Sequence, residues 1–231
     1  IEIMRLSEAL ERDPERVEAH LGRLASVRDG FSAANTALFD DALVIVVEKG
    51  ASIEPLVEIG VVSTAGSDSS LSAPRILIVA EPGSTAKFVE RYSTIGDGTC
   101  AVLPVTEVFV RPGANIEHVR VNDHSASTTH IGLWQTRQER DSVYTAFNVV
   151  YGGSVSRLDQ VIWIGGEGCE TRLDGVDSAN GDQHMDNHTR LDHAVPNCNS
   201  FEIYKQIVDD KATVVFNKGF PGIVKAVVDA G

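Results

Sequence analysis

The sequence has few cysteines and no excess of positive charge. Its three cysteines, Cys100, Cys169 and Cys198, are far apart and odd in number, so we expect neither a disulfide framework nor a paired Cys-x-x-Cys metal site. The sequence has twenty Lys and Arg residues and thirty-three Asp and Glu residues, which gives a net charge of −13. This charge disfavours binding to a polyanion, because phosphate binding needs a clustered positive surface. We therefore expect reduced thiols and no nucleic acid partner.

Long hydrophobic runs are also missing. No stretch approaches the roughly 18 uninterrupted apolar residues that a membrane-spanning helix needs, and the first ten residues carry Glu2, Arg5 and Glu8 where a signal peptide would be apolar. We therefore predict a cytoplasmic protein with no membrane partner. The 231 residues are 42% hydrophobic and 23% charged, so the chain can bury a substantial core.

The first thirty residues predict an N-terminal helical segment. Asp13-Pro14 is expected to divide it into two helices, because an Asp side chain can accept the free N–H groups of a new first turn and Pro14 sacrifices no hydrogen bond there. Arg28-Asp29-Gly30 is expected to end the segment. Apolar residues recur at helical spacing at Leu6, Leu10, Val17, Leu21 and Leu24.

From residue 31 onward, short apolar runs rich in Val and Ile predict strands separated by turn-forming pairs such as Pro82-Gly83. Their spacing, roughly ten to fifteen residues without crossover helices, leaves three candidates: a sandwich, a closed barrel or a solenoid of successive turns. Residues 143–147 lack clean polar alternation, which favours the solenoid. The runs are 43–47, 56–62, 76–80, 105–110, 116–121, 143–151, 161–164, 201–207 and 213–216.

One segment, residues 181–198, is rich in histidine and acidic residues and reads GDQHMDNHTRLDHAVPNC. It resembles the D-x-H-x-D-x-H-T, D-H and P-x-C signature of SufD proteins, in the SufB/SufD family of the SUF iron–sulfur cluster assembly system. Similar phrases occur at residues 31–39, 103–107 and 116–118, so the resemblance covers most of positions 1–217. The sequence departs from the family at Gln206 and over residues 218–231.

The resemblance implies an all-β, right-handed parallel β-helix over residues 31–217, after the helical segment 1–30, with residues 218–231 unassigned. Family members work with the related SufB and the ATPase SufC. The chain is therefore expected to be a non-catalytic scaffold that supports iron acquisition and cluster assembly, while its partner hydrolyses ATP. The family continues into further turns, so we expect a chain that is truncated at its C-terminus. Its open strand edge predicts a homodimer or an irregular covering segment.

The histidine-rich segment supplies the candidate site residues. If it is extended, His184, Asp186 and His188 project from one face. Imidazole and carboxylate suit zinc or ferrous iron, and His193 or Cys198 could complete a site. We predict that His184, His188 and Cys198 contact iron or a nascent cluster transiently, with no tightly bound cofactor. The alternative, that these side chains only hydrogen-bond one another, stays open. The predicted interface residues are Asp186, Thr189, His193, Tyr204 and Lys205.

A rival interpretation is a carboxylate- or metal-dependent hydrolase on a β-solenoid. Asp174, Asp177, Asp182 and Asp186 cluster in the sequence, and polysaccharide hydrolases use paired carboxylates. Such an enzyme would act on glycans or esters without SUF partners, whereas the scaffold interpretation assigns no catalytic residue.

Overall fold

The computed structural model describes residues 1–25 and 30–219. These residues form short helices near the N-terminus, followed by strands that wind into a β-solenoid of about six turns. The helices are α1 (Leu6–Arg12), α2 (Pro14–His20) and α3 (Gly30–Leu38). The strands are β1 (Glu2–Arg5), β2 (Ala42–Val47), β3 (Val57–Thr64), β4 (Ser70–Ser72), β5 (Arg75–Ala80), β6 (Thr85–Ile95), β7 (Cys100–Val102), β8 (Val105–Val110), β9 (Asn115–Asp123), β10 (Thr128–Gln138), β11 (Val143–Val150), β12 (Val155–Ile164), β13 (Glu170–Ala179), β14 (His184–His193), β15 (Asn199–Val208) and β16 (Thr213–Gly219).

Each turn of the solenoid contributes one long strand to each of two sheets. Sheet A has the order β1-β2-β5-β8-β10-β12-β14-β16, and the short strand β7 pairs with β10 while β4 pairs with β7. Sheet B has the order β15-β13-β11-β9-β6-β3. The pairing of successive turns is parallel, whereas β1 pairs antiparallel with β2. The predicted all-β parallel β-helix with a short N-terminal helical segment is confirmed.

The N-terminal helices cover one end of sheet A. Asp13 separates α1 from α2 as predicted, and its side chain accepts a hydrogen bond from the backbone N–H of Arg16 at 3.0 Å. Both faces of β2, β5 and β8 are therefore mostly buried, one by the solenoid interior and the other by the helices. The outer contact is built from Met4, Ala9, Val17, Val44, Val46, Leu77, Val79 and Phe109.

The boundary between helices and solenoid differs from the sequence prediction. Gly30 begins α3 instead of ending the helical segment, and the first solenoid strand begins at Ala42. A nine-residue helix thus lies inside the predicted β-helix core, residues 31–217. Arg28 and Asp29 lie outside the described residues, as do residues 220–231 of the unassigned segment.

The Glu107 carboxylate anchors the end of the N-terminal segment to β8. Its side chain is fully buried, and it accepts hydrogen bonds from the backbone N–H groups of Gly22 at 2.8 Å, Leu24 at 2.8 Å and Ala25 at 3.0 Å. The guanidinium of Arg75, also buried, forms an ion pair with it at 2.5 Å. One acidic side chain therefore accepts hydrogen bonds from three backbone N–H groups within residues 22–25, which belong to neither a helix nor a strand.

The same network reaches α3 through Asn35. Arg75 donates to Asn35 Oδ1 at 3.1 Å, and the Asn35 amide nitrogen donates to the carbonyl groups of Pro74 at 2.9 Å and Leu103 at 2.6 Å. Asn35 is itself fully buried. The polar network thus joins both residues 22–25 and helix α3 to sheet A.

Strands β15 and β16 are the edge strands at the far end of the described residues. Several apolar side chains on these two strands are exposed, and the predicted homodimer at such an edge stays a prediction. The exposed apolar residues are Phe201, Ile203, Ile207, Val208, Val215 and Phe216.

In the part of the chain that the structure describes, no helix is long and apolar enough to cross a membrane.

Candidate functional site

The histidine-rich segment forms β14, a strand of sheet A. Its burial alternates, so that His184, Asp186 and His188 lie on the outer face while Met185 and Asn187 are buried inside. The prediction that the three polar residues share one face is confirmed. Because a strand rises about 3.3 Å per residue, His184 and His188 lie about 13 Å apart along it.

Four side chains on β12 and β14 form an outer charge cluster, consisting of Arg157, Asp159, Asp186 and His188. The strand register places Arg157 beside Asp186 and Asp159 beside His188. Arg157 donates to Asp159 at 3.0 Å and to Asp186 at 2.7 Å, and His188 Nε2 lies 2.8 Å from Asp186 Oδ1. The hydrogen bond to Asp159 is the main cause that raises the pKa of Arg157. This cluster offers an imidazole and two carboxylates at a partly exposed surface.

The other predicted metal ligand, Cys198, lies in the turn that follows β14. Its thiol donates to the carbonyl oxygen of Gly166 at 3.2 Å. His193, at the end of β14, has its Nε2 atom 3.1 Å from Ser200 Oγ, and burial lowers its pKa. From His188 to His193 the strand spans about 16 Å.

The structure therefore does not gather His184, His188 and Cys198 into one coordination sphere. Among residues 1–25 and 30–219, no group of three His, Cys, Asp or Glu residues is arranged to hold a metal ion. Contact of the separate residues with iron or a cluster stays a prediction.

The predicted interface residues fall on two sides of the sheets. Lys205 is exposed on β15, whereas Thr189 and Tyr204 point into the solenoid. The Thr189 hydroxyl donates to Glu202 at 2.6 Å, and the Tyr204 hydroxyl donates to Gln160 Oε1 at 3.1 Å. Thr189 and Tyr204 therefore do not share the outer faces with Asp186 and Lys205, because alternate residues of a strand point to opposite faces. The assignment of the five residues to an interface stays a prediction.

The four aspartates of the hydrolase interpretation do not form a catalytic pair. Asp177 is buried in the interior and accepts hydrogen bonds from Asn187 at 2.7 and 2.8 Å, and burial raises its pKa. Asp174 lies on the outer face of sheet B, Asp186 lies on the outer face of sheet A, and Asp182 is exposed in a turn. Carboxylates on different faces cannot act together on one glycosidic bond.

A buried polar cluster, which sequence reasoning missed, surrounds Glu90 inside the solenoid. Glu90 accepts hydrogen bonds from His118 Nε2 at 3.1 Å, from the Thr106 hydroxyl at 2.9 Å and from the Tyr92 hydroxyl. Arg120 Nε lies 3.8 Å from the same carboxylate. Burial opposes the ionisation of Glu90, but the hydrogen bond from His118 and the charge of Arg120 outweigh it and lower its pKa to about 2. The interior therefore holds an ionised carboxylate.

A directed chain of hydrogen bonds leads from this cluster toward the corner after β9. Arg120 Nη2 lies 2.8 Å from His130 Nε2, His130 Nδ1 lies 3.0 Å from His124 Nε2, and His124 Nδ1 lies 2.7 Å from Thr94 Oγ1. Because a guanidinium only donates, each histidine accepts at Nε2 and donates at Nδ1. Burial and the nearby Arg120 charge lower the pKa of His124 to about 4 and that of His130 well below its usual value. Both imidazoles are therefore neutral at pH 7.

A sequence signal for this cluster exists in β9. His118 and Arg120 follow Ile116 at two-residue steps, and all three are buried on the inner face. Extending the alternation from Ile116 would have predicted buried polar residues, and burial of a charged residue is rare unless it is paired.

Comparison with known families assigns nearly the whole chain. Residues 61–224 match the model described as the SUF system FeS cluster assembly, SufBD core domain. Residues 1–59 match the model of the SufBD protein N-terminal region. The boundary between the two matches falls within β3.

Curated relatives agree with these matches. The chain is 23% identical to an iron–sulfur cluster assembly SufBD family protein of Synechocystis sp., over 88% of this chain and 47% of the relative. It is 28% identical to the Arabidopsis thaliana protein ABCI7, chloroplastic, over 84% of this chain and 42% of the relative. It is 23% identical to the iron–sulfur cluster assembly protein SufD of Escherichia coli, over 58% of this chain and 32% of the relative. The chain spans about half the length of the first of these relatives, and with both family regions matched it belongs to the SufB/SufD family of the SUF iron–sulfur cluster assembly system.

Proposed function

We propose that this chain acts as a SufD-like scaffold subunit of a SUF iron–sulfur cluster assembly complex. It pairs with a SufB-like paralogue and a SufC-like ATPase, and the ATPase performs the ATP hydrolysis. The observation that carries the proposal is that the N-terminal and core family models match residues 1–59 and 61–224. The described residues from β2 onward form a continuous solenoid. The proposal assigns no catalytic residue to this chain and a cytoplasmic location to the complex.

The physical properties of the solenoid support a scaffold role. Long ladders of backbone hydrogen bonds join successive turns, so the two outer sheet faces have fixed shapes on which a partner can dock. The aspartates that a hydrolase would need point to different faces. Polar outer positions such as Asp186, His188 and Lys205 provide the charge complementarity that selects a partner.

Co-purification tests the proposed partnership. We expect the tagged full-length protein, co-expressed with the SufB-like and SufC-like proteins of its own source, to retain both through size-exclusion chromatography. The ATPase expressed with the empty tag is the control. Elution of the protein without either partner, together with hydrolysis of glycans or esters by the protein alone, would instead favour the hydrolase.

Iron handling by the outer face has a separate test. We propose that His184 and His188, with Cys198 on the adjoining turn, contact iron or a cluster as transient cargo. The double variant His184→Ala/His188→Ala, in the full-length protein within its complex, is expected to lower iron content and cluster yield by about tenfold, the scale seen when groups around a metal are removed. The matched control is Lys87→Ala/Glu117→Ala, an exposed pair on sheet B. Undiminished iron content and cluster yield would rule the contact out.

A further inference from the structure

Two cysteines stack at one corner of the solenoid, where sheet A gives way to sheet B. Cys169 immediately precedes β13 and Cys198 immediately precedes β15, and the register of these strands pairs Glu170 with Asn199. The ladder continues through the cysteines, because the Asn199 N–H donates to the Cys169 carbonyl oxygen at 3.0 Å. The two residues are therefore direct neighbours in successive turns.

Their spacing suits a disulfide. Adjacent strands lie about 4.8 Å apart, within the Cα separations of about 4.4 to 6.8 Å that a disulfide spans. Both thiols also turn to the same side, since each donates to the carbonyl oxygen of Gly166, Cys169 at 3.0 Å and Cys198 at 3.2 Å. One acceptor shared by two thiols places the sulfur atoms in the same small space.

The two thiols differ in access. Cys169 is 1% exposed, whereas Cys198 is only partly buried. A small oxidant from solution therefore reaches Cys198 before Cys169.

We propose that Cys169 and Cys198 form an oxidisable dithiol that closes to an intramolecular disulfide between two successive turns of the solenoid, with a peroxide as the oxidant. The Cys198 thiolate attacks one peroxide oxygen, which gives a sulfenic acid and releases water after proton uptake. The Cys169 thiol then attacks the Cys198 sulfur and expels the sulfenic oxygen as a second water. Two electrons pass from the sulfur atoms to hydrogen peroxide, and the net products are one disulfide and two waters.

This modification site is independent of the SUF assignment. It rests on the corner geometry and holds whether or not the chain binds partners. It also competes with the predicted iron contact at Cys198, because a disulfide sulfur is no longer a thiolate ligand. Oxidation is therefore expected to leave the contributions of His184 and His188 in place and remove that of Cys198.

Thiol counting and mass spectrometry test the proposal on the full chain. After treatment with hydrogen peroxide, blocking and denaturation, we expect the number of free thiols to fall from three to one per chain. The intact mass should fall by two hydrogens, and a non-reducing digest should contain a peptide pair linking Cys169 to Cys198 that dithiothreitol separates.

Two variants make the test specific. Cys100→Ser is the matched control, because Cys100 lies in a separate cluster with Tyr92 and Val102, and it should form the same disulfide. Cys169→Ser should form none and leave a Cys198 sulfenic acid that dimedone traps. If that variant does not fold, the wild-type peptide map alone decides. Three thiols left after a peroxide dose that oxidises free cysteine would overturn the proposal, as would a disulfide between two chains.

Discussion

Replacing Glu107 with alanine is expected to lower the free energy of unfolding by about 3–5 kcal/mol, the range observed when one member of a buried ion pair is removed. The change leaves the buried Arg75 without its carboxylate partner, and it leaves the backbone N–H groups of Gly22, Leu24 and Ala25 without an acceptor. Urea denaturation followed by circular dichroism measures the loss, and limited proteolysis should cleave the segment around residues 22–25 faster than in the wild type.

Glu117→Ala is the matched control for this prediction. Glu117 is 50% exposed and pairs with the exposed Lys87 at 2.9 Å, so its loss should change stability by no more than about 0.5 kcal/mol. Glu107→Gln keeps one acceptor oxygen for the backbone donors, so its loss in the free energy of unfolding should fall between those of Glu107→Ala and Glu117→Ala. Equal effects of Glu107→Ala and Glu117→Ala would show that the N-terminal segment does not depend on this anchor.

Glu90→Gln is expected to destabilise the protein by roughly 3 kcal/mol at neutral pH, since a tenfold change in an ionisation constant corresponds to about 1.4 kcal/mol. The folded protein lowers the pKa of Glu90 from 4.5 to about 2, so folding favours the ionised carboxylate that the variant lacks. A neutral amide also leaves the buried charge of Arg120 without compensation. The free energy of unfolding at pH 7, from urea titrations, gives the magnitude.

The same variant has a characteristic pH dependence. A depressed carboxyl pKa contributes stability that is fully present above pH 4.5 and is lost as the pH falls toward 2. The difference between wild type and Glu90→Gln should therefore shrink over that window. The lowered pKa values of His124 and His130 cost stability as the pH falls below 6.5, and this loss should occur in both proteins.

Glu58→Gln serves as the control for the buried carboxylate. The Glu58 side chain is 64% exposed and lies 3.7 Å from Arg91, so its stability curve should follow the wild type within about 0.5 kcal/mol. A Glu90→Gln curve that ran parallel to the wild type from pH 7 to pH 2 would contradict an ionised, stabilising Glu90.

Strands with long apolar runs can be predicted from the sequence, whereas several strands with polar residues on their inner faces are missed. β2 and β5 are buried on both faces, so they appear as nearly continuous runs of Val, Ile and Leu. β6, β10 and β13 place Glu90, His130 and Asp177 on their inner faces, which interrupts the apolar pattern. These polar groups can be buried because they form hydrogen bonds and ion pairs with residues of other strands. A local sequence pattern does not contain those partners.

One argument for the solenoid is wrong although its conclusion is right. Residues 143–147 lack alternation by residue type, but β11 alternates regularly in burial, with Tyr144 and Ala146 buried and their neighbours half-exposed. Val143 and Phe147 are apolar although they lie on the partly exposed outer face. Apolar residues therefore occur on both faces of β11, and the two-residue alternation is not visible in the sequence. The resemblance to the family, more than the pattern, distinguishes the solenoid from a sandwich or barrel.

For the candidate site, alternation predicts which residues share a face but not which residues meet. His184, Asp186 and His188 lie on one face as predicted, whereas the partners of the last two, Arg157 and Asp159, come from the preceding turn. That register joins residues 29 positions apart, and no local pattern contains it. The same alternation places the Thr189 side chain inside the solenoid, and its predicted role at an interface stays a prediction.

The anchor at Glu107 sets an order of events during synthesis. The amide of Gly22 precedes its carboxylate acceptor by 85 positions, so residues 22–25 leave the ribosome well before β8 exists. Growth of a solenoid can proceed turn by turn from whichever neighbours are present, but these backbone donors gain their buried acceptor only once the third turn is in place. Until then, docking of the N-terminal region depends on its apolar contacts with the first two turns, through side chains such as Met4 and Val17.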